Sequence, residues 1–187
     1  MILLTRVSHK RRSRVRDARR ARIGDESDSL ALAQLLDEPV LIALGASVTI
    51  VSPAGERTLP LEKLYSGYLE TTLGLSELIA DVTVPAQGSR RAAYLKCTTR
   101  SADDWPALGV AVALDTDGAV VRDARIVIGA ATDTPTRLVN AENVLRGARA
   151  DDAVLRRAGE AGAAEAAVIG DQHGTAAYKR ELLRVYL

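Results

Sequence analysis

AYLKCTTRSADDWPALGVAVALDTDGAVVRDARIVIG, Ala93 to Gly129, decides the fold. It predicts three strands. Arg91–Cys97 is the first, Leu108–Asp115 the second and Ala119–Gly129 the third. Two apolar runs joined by Asp115-Thr116-Asp117-Gly118 carry a strong hairpin signal. A polar loop, Thr98 to Trp105, separates the first two strands and holds Arg100 and the adjacent Asp103 and Asp104. Lys96 stands at the end of the first strand. It has two readings. One is a cation facing a flat, electron-rich cofactor ring. The other is a solvated lysine on a hairpin, which residue chemistry alone favours.

Downstream the period changes. Thr136–Arg146 reads as a helix closed by Gly147. Asp151–Ala167 is Ala-rich and helical, with Asp151 or Asp152 as its N-cap. Thr175–Tyr186 is a last amphipathic helix. Strands followed by helices predict an α+β fold, a small antiparallel sheet with a three-helix layer on one face.

Upstream, Leu30, Leu32, Leu35 and Leu36 fit a short helix that Pro39 interrupts. Val40–Leu44 continues as a helical turn to Gly45. Ser47–Val51 is a strand, Pro53–Glu56 a turn, and Arg57–Leu59 the return strand. Leu61–Tyr65 reads as a helical turn broken by Gly67, and Leu78–Val84 as a strand ended by Pro85. Gln87-Gly88-Ser89 has linker composition. The expected units are therefore an arm over 1–27, a first unit over 28–87 and a second over 88–187.

Composition narrows the function classes. Aromatics make up 3% of the 187 residues and Phe is absent. The core must be Ala, Val, Leu and Ile, and a stacking platform for nucleic acid lacks its rings. The single cysteine, Cys97, forms no internal disulfide. It points to a cytoplasmic setting and to a small apolar filler rather than a nucleophile. No apolar run is long enough to span a membrane. Charge is split unevenly. Nine of the 25 basic residues lie between Arg6 and Arg22, opposed only by Asp17. The rest of the chain carries 16 basic and 23 acidic residues, a net of −7. So dense a run of like charge predicts a disordered tail more readily than a nucleic-acid-binding arm. It also fits a misplaced start or a shifted reading frame.

Several chemistries are missing. The chain has neither a dinucleotide-binding G-x-G-x-x-G nor a Walker loop. His9 and His173 are too far apart in sequence to form a metal-spaced pair. His173, in Asp171-Gln172-His173-Gly174, reads as structural loop chemistry. Asp103-Asp104 and Asp151-Asp152 read as turn formers or caps before acid–base pairs.

In order and spacing, the ordered segments resemble the FAD-binding (medium) subunit of molybdenum hydroxylases of the carbon monoxide, xanthine and nicotine dehydrogenase type. PVLIALGASVTIVSPAGERTLPLEKLYSGYLETTLGLSELIADVTVP, from Pro39, resembles the end of the family's PCMH-type flavin-binding domain. AYLKCTTRSADDWPALGVAVAL resembles the start of its C-terminal domain. VRDARIVIGAATDTPTRLVNAENVLRG and GDQHGTAAYKRELLRVYL resemble that domain's hairpin, helix and last helix. The resemblance implies a partial FAD-binding domain followed by a complete C-terminal domain. It implies FAD as cofactor, with a molybdenum-cofactor large subunit and an iron–sulfur small subunit as partners. Electrons would pass from the iron–sulfur clusters through FAD to an external acceptor. It also implies roles for two residues. Ile79, in SELIADVTVP, would shield the flavin ring. Lys96 would approach the ring's pyrimidine edge, where a cation favours the anionic reduced form. The loop Thr98–Trp105 would border the flavin.

The departures bear on FAD. The family holds the diphosphate with two Gly-rich loops of the AGGTDL and GGNL kind, and neither occurs before Pro39. The family's adenosine-end aspartate is not carried over, since Leu36 occupies that spot and Asp37 is one place off. Losing about four to six hydrogen bonds to a charged group, at ~1.5–3 kcal/mol each, removes most of a nanomolar affinity. The expectation is a chain that by itself binds FAD weakly or not at all, or else serves as a docking module or an inactive truncated product.

Overall fold

The computed structural model describes residues 38–98 and 105–187. The arm, the Leu30–Leu36 helix and the Asp103-Asp104 pair lie outside these residues. The chain opens with α1 (Glu38–Ala43), then β1 (Ser47–Ser52) and β2 (Gly55–Pro60). A 3-10 turn (Leu61–Lys63), β3 (Tyr65–Gly67), β4 (Glu70–Thr71) and β5 (Leu78–Thr83) follow. The second half is β6 (Arg91–Cys97), β7 (Leu108–Asp117), β8 (Val120–Gly129), β9 (Thr136–Arg137), α2 (Val139–Leu145), α3 (Asp152–Glu165) and α4 (Ala176–Tyr186).

The fold is α+β. An antiparallel four-stranded sheet, in the order β6-β7-β8-β9, forms its centre. Strands β7 and β8 are apolar on both faces, the pattern of strands covered on both sides. Leu108, Val110, Ile126 and Ile128 face one buried cluster with Leu138, Ala141, Leu145, Val154, Ala158 and Leu183 from the helical layer. Ala111, Ala113 and Val127 face the other way, onto a second cluster. That cluster holds Ile42 and Ala43 of α1, Val48 and Ile50 of β1, and Leu61 and Leu64. A three-stranded sheet, β2-β1-β5, carries this second layer.

Local chemistry explains the boundaries. Whether Pro39 interrupts the expected Leu30–Leu36 helix lies outside the described residues; within them, Pro39 belongs to α1. It sits in the first turn of α1, where its missing N–H leaves no bond unmade. The C-terminal end of α1 closes through Ala46 N–H to Leu41 C=O and Gly45 N–H to Ile42 C=O, both 2.9 Å. Gly45 takes the left-handed conformation this closure needs, at φ +75°. The β7–β8 turn lies at Gly118-Ala119, later than expected, because a bulge between Asp115 and Thr116 lets both strands run on. The expected helix Thr136–Arg146 begins three residues late. Thr136 and Arg137 instead pair with Ile128 and Val127 at the sheet edge, and the Thr136 hydroxyl donates to Thr134 C=O at 2.8 Å. The expected helical turn Leu61–Tyr65 is only a 3-10 turn, after which Tyr65 opens β3. Asp151 is the N-cap of α3, accepting from Val154 N–H at 2.9 Å, and Thr175 caps α4.

Candidate functional site

The side of the sheet away from the helices is where the two sequence-named residues fall. Ile79 lies on β5 opposite Ile50 and packs, half-buried, against the second cluster. The β1–β5 register shifts beside it: Ile79 pairs with Ile50 and Asp81 with Thr49, so Ala80 is the extra residue. Such a bulge re-aims neighbouring side chains. Just before β5, Glu77 accepts from Arg57 Nε (2.8 Å), Arg57 Nη2 (2.7 Å) and Gly74 N–H (2.8 Å). The Arg57 hydrogen bond, seconded by Gly74, pulls the Glu77 carboxyl down to about 2. This clamp closes the loop that delivers Ile79.

Lys96 lies on β6, opposite Gly109 of β7. Alternation puts it on the same face as Ala92 and Tyr94, both of which pack against the second cluster. Ile79 thus packs on the second cluster, and Lys96 shares a strand face with two residues that do. Among the described residues Lys96 has no ion-pair partner. Trp105, across the loop from Lys96, is exposed. Cys97 points to the helical side, where burial pushes its thiol up and so away from the reactive thiolate. His173 belongs to a turn: its N–H donates to Asp171 Oδ1 at 2.8 Å. Among the described residues no group of three or more His, Cys, Asp or Glu is arranged to hold a metal, and no helix is long and apolar enough to cross a membrane.

Two buried charged residues carried no signal in the sequence. Glu142 on α2 is fully buried and accepts from Ile126 N–H (3.0 Å), Arg137 Nη2 (2.7 Å) and Arg146 Nη2 (2.8 Å). Arg146 also reaches Asp123 at 3.2 Å, and Asp123 meets Arg90 at 2.6 Å. Desolvation raises the Asp123 carboxyl, but the hydrogen bond from Arg146 and the charge of Arg90 outweigh it, leaving a net lowering. Arg137 extends the chain of charges to Glu62, 4.0 Å away beside the 3-10 turn. The network thus ties the helical layer, the sheet and the second layer together. Lys179 on α4 is likewise fully buried, donating to Ala130 C=O and to Asp171 Oδ2, both at 2.7 Å. Spacing on an amphipathic helix does not distinguish these residues from solvated charges.

Two family profiles match the chain. One, the CO dehydrogenase flavoprotein C-terminal domain, matches residues 93–187. The other, the FAD binding domain in molybdopterin dehydrogenase, matches residues 38–87. The chain belongs to the FAD-binding medium subunits of the molybdenum hydroxylases, the CO dehydrogenase family. It is 34% identical over 145 residues to the nicotine 6-hydroxylase medium subunit of Paenarthrobacter nicotinovorans, covering 78% of this chain and 50% of that protein. The solved carbon monoxide dehydrogenase of Hydrogenophaga pseudoflava that lacks the Mo-pyranopterin moiety superposes with a TM-score of 0.74 at 28% identity. That alignment covers 79% of this chain and 52% of the other. Quinoline 2-oxidoreductase from Pseudomonas putida 86 gives 0.73 at 26% identity, covering 84% and 55%. The chain spans about half the length of the relatives it matches.

FAD makes two demands on a medium subunit, and the described residues meet them unequally. An aliphatic wall with one amine at its margin suits a flat heteroaromatic ring. A diphosphate needs convergent backbone donors, such as an open helix N-terminus or a Gly-rich nest. Here α1 begins with Glu38 and Pro39, a carboxylate and a residue with no N–H. The starts of α3 and α4 are closed by their own caps, Asp151 and Thr175. The positive-φ glycines at 45, 55, 88, 118 and 147 are isolated from one another in sequence.

Proposed function

We propose that this chain serves as part of the flavoprotein subunit of a molybdenum hydroxylase, supplying the wall on which the flavin ring rests. On this reading Ile79 shields the ring face, and Lys96 places a positive charge at its edge. The boundary between the flavin-side unit and the C-terminal domain falls at 87–88. The partners are a molybdenum-cofactor large subunit and an iron–sulfur small subunit, and the assembly passes electrons to an external acceptor. One observation supports the reading above the others: Ile79, Ala92 and Tyr94 lie, partly buried, at the margin of a single apolar cluster on the face of the sheet opposite α2, α3 and α4.

The same reading sets how tightly this chain should hold FAD by itself. Ring contact without a diphosphate cradle leaves affinity in the micromolar range or weaker, about 8 kcal/mol or less. Titration with FAD, followed by quenching of flavin fluorescence, tests this. A dissociation constant above about 1 μM is expected, and a submicromolar value would mean that the chain holds the diphosphate as well as the ring.

A second reading, a docking module without redox function, draws on the closed helical layer, whose core is complete while Tyr68, Leu69, Leu75 and Leu78 of the other layer stay exposed. Co-expression with the large and small subunits separates the two. A yellow complex carrying flavin supports the first reading, and a colourless complex supports the second.

A further inference from the structure

The row of the sheet that contains Lys96 has an unusual composition. Lys96 pairs with Gly109, and Gly109 pairs with Gly129. Two of its three positions therefore carry no side chain. The space is nonetheless filled. A Cβ built on Gly109 would lie 2.6 Å from Tyr94 Oη and 3.2 Å from its Cε2 and Cζ. A Cβ built on Gly129 would lie 2.8 Å from Pro39 Cγ. The Tyr94 ring thus leans along the sheet from its own row into the row of Lys96, and its phenol end rests over the backbone of Lys96's cross-strand partner.

We infer that Tyr94 is a positioning residue for Lys96. Tyr94 and Lys96 are two apart on one strand and share a face. Directly across from Lys96 there is no side chain to lean on, and the space is taken by the edge of the Tyr94 ring. The lysine stem cannot fold inward across the sheet. β6 is the outer strand of the sheet, so the stem is directed toward that edge. Gly109 has a matching role: a side chain there would displace the ring. The first atom it would meet is the phenol oxygen, at the far end of a side chain, so the ring gives way before the backbone does. The function assigned to Lys96 rests on the flavin reading above; the seating of the Tyr94 ring over Gly109 does not.

The test uses the full chain as wild type, Y94F, Y94A and G109A, with thermal melts confirming that each is folded. The first readout needs no flavin: the rate at which trace acetic anhydride modifies Lys96, relative to the exposed Lys63, measured by peptide mass spectrometry. Y94A and G109A should change that ratio by about threefold or more, because the amine's surroundings change. Y94F keeps the ring and should move the ratio less than Y94A does. A residue that merely fills space would lower the melting temperature without moving the ratio. If Y94A fails to fold, G109A alone decides, since it keeps the tyrosine and moves it. An unchanged ratio in folded G109A overturns the inference. The second readout is riboflavin affinity. If the ratio moves and riboflavin does not bind even to the wild type, the positioning stands and the flavin reading falls.

Discussion

The two faces of the four-stranded sheet are closed by different means. On the helical face, Leu108, Ile126, Ile128, Leu138 and Leu183 are buried completely, and the two fully buried charged residues are both paired. The other face is covered by the short helix α1 and a three-stranded sheet whose strands β2 and β5 are exposed along much of their length. Leu75 is 99% exposed there and Tyr68 67%. One side has the closure of a self-sufficient core. The other presents an apolar wall with open margins, as a surface awaiting another component would.

This contrast can be broken by substitution. The largest effect is expected from Glu142→Ala, which leaves Arg137 and Arg146 beside an empty buried site and should cost about 3–5 kcal/mol by chemical denaturation. Equal stability of this variant and the wild type would mean that the charge network does not tie the layers together. Ile126→Ala on the helical face should cost about 2–5 kcal/mol, as a fully buried aliphatic truncation does. Ile79→Ala, half-buried at the margin of the other cluster, should cost about half as much, in proportion to the area it hides. If Ile79→Ala proves as damaging as Ile126→Ala, the two faces are equally closed and the comparison fails.

The smallest expected effect is a pH dependence. The folded Glu77 carboxyl is held near 2, below its ordinary value of 4.5. A depressed carboxyl contributes stability that is complete above its unfolded pKa and is lost as pH falls through the folded one. The contribution of the Arg57–Glu77 clamp should therefore fade between about pH 4.5 and pH 2. Denaturation midpoints of wild type and Glu77→Gln should differ at pH 6 and converge toward pH 2. The pair is exposed, so the difference is small and shrinks in salt.

Much of this architecture was legible in the sequence, for physical reasons that can be named. The β7–β8 hairpin was readable because Leu108–Leu114 and Ile126–Ile128, covered on both faces, are continuous apolar runs, and β6 because its limits coincide with a change in polarity. The helix α3 announced itself through its cap. The edge strand at Thr136–Arg137 did not. Two residues are too few to show a period, and only the neighbouring Ile128 and Val127 make them a strand. Glu142 and Lys179 were hidden because a buried charge on an amphipathic helix has the same spacing as a solvated one. The Arg57–Glu77 clamp joins residues 20 apart, beyond any local pattern. Ile79 and Lys96 were named through resemblance to a family. What the structure adds is the cluster on which Ile79 packs, the bulge beside Ile79 and the Tyr94 ring seated over Gly109.

If this chain offers the flavin ring a surface and the diphosphate none, riboflavin and FAD should bind it alike. Comparing the dissociation constants of riboflavin and FAD for this chain isolates the diphosphate and adenosine, since the ring is common to both. The expected ratio is near one, within about threefold, because less than about 1 kcal/mol separates the two ligands. Tighter binding of FAD by about a hundredfold or more, some 2.7 kcal/mol, would contradict it and show that the chain carries a cradle for the diphosphate after all.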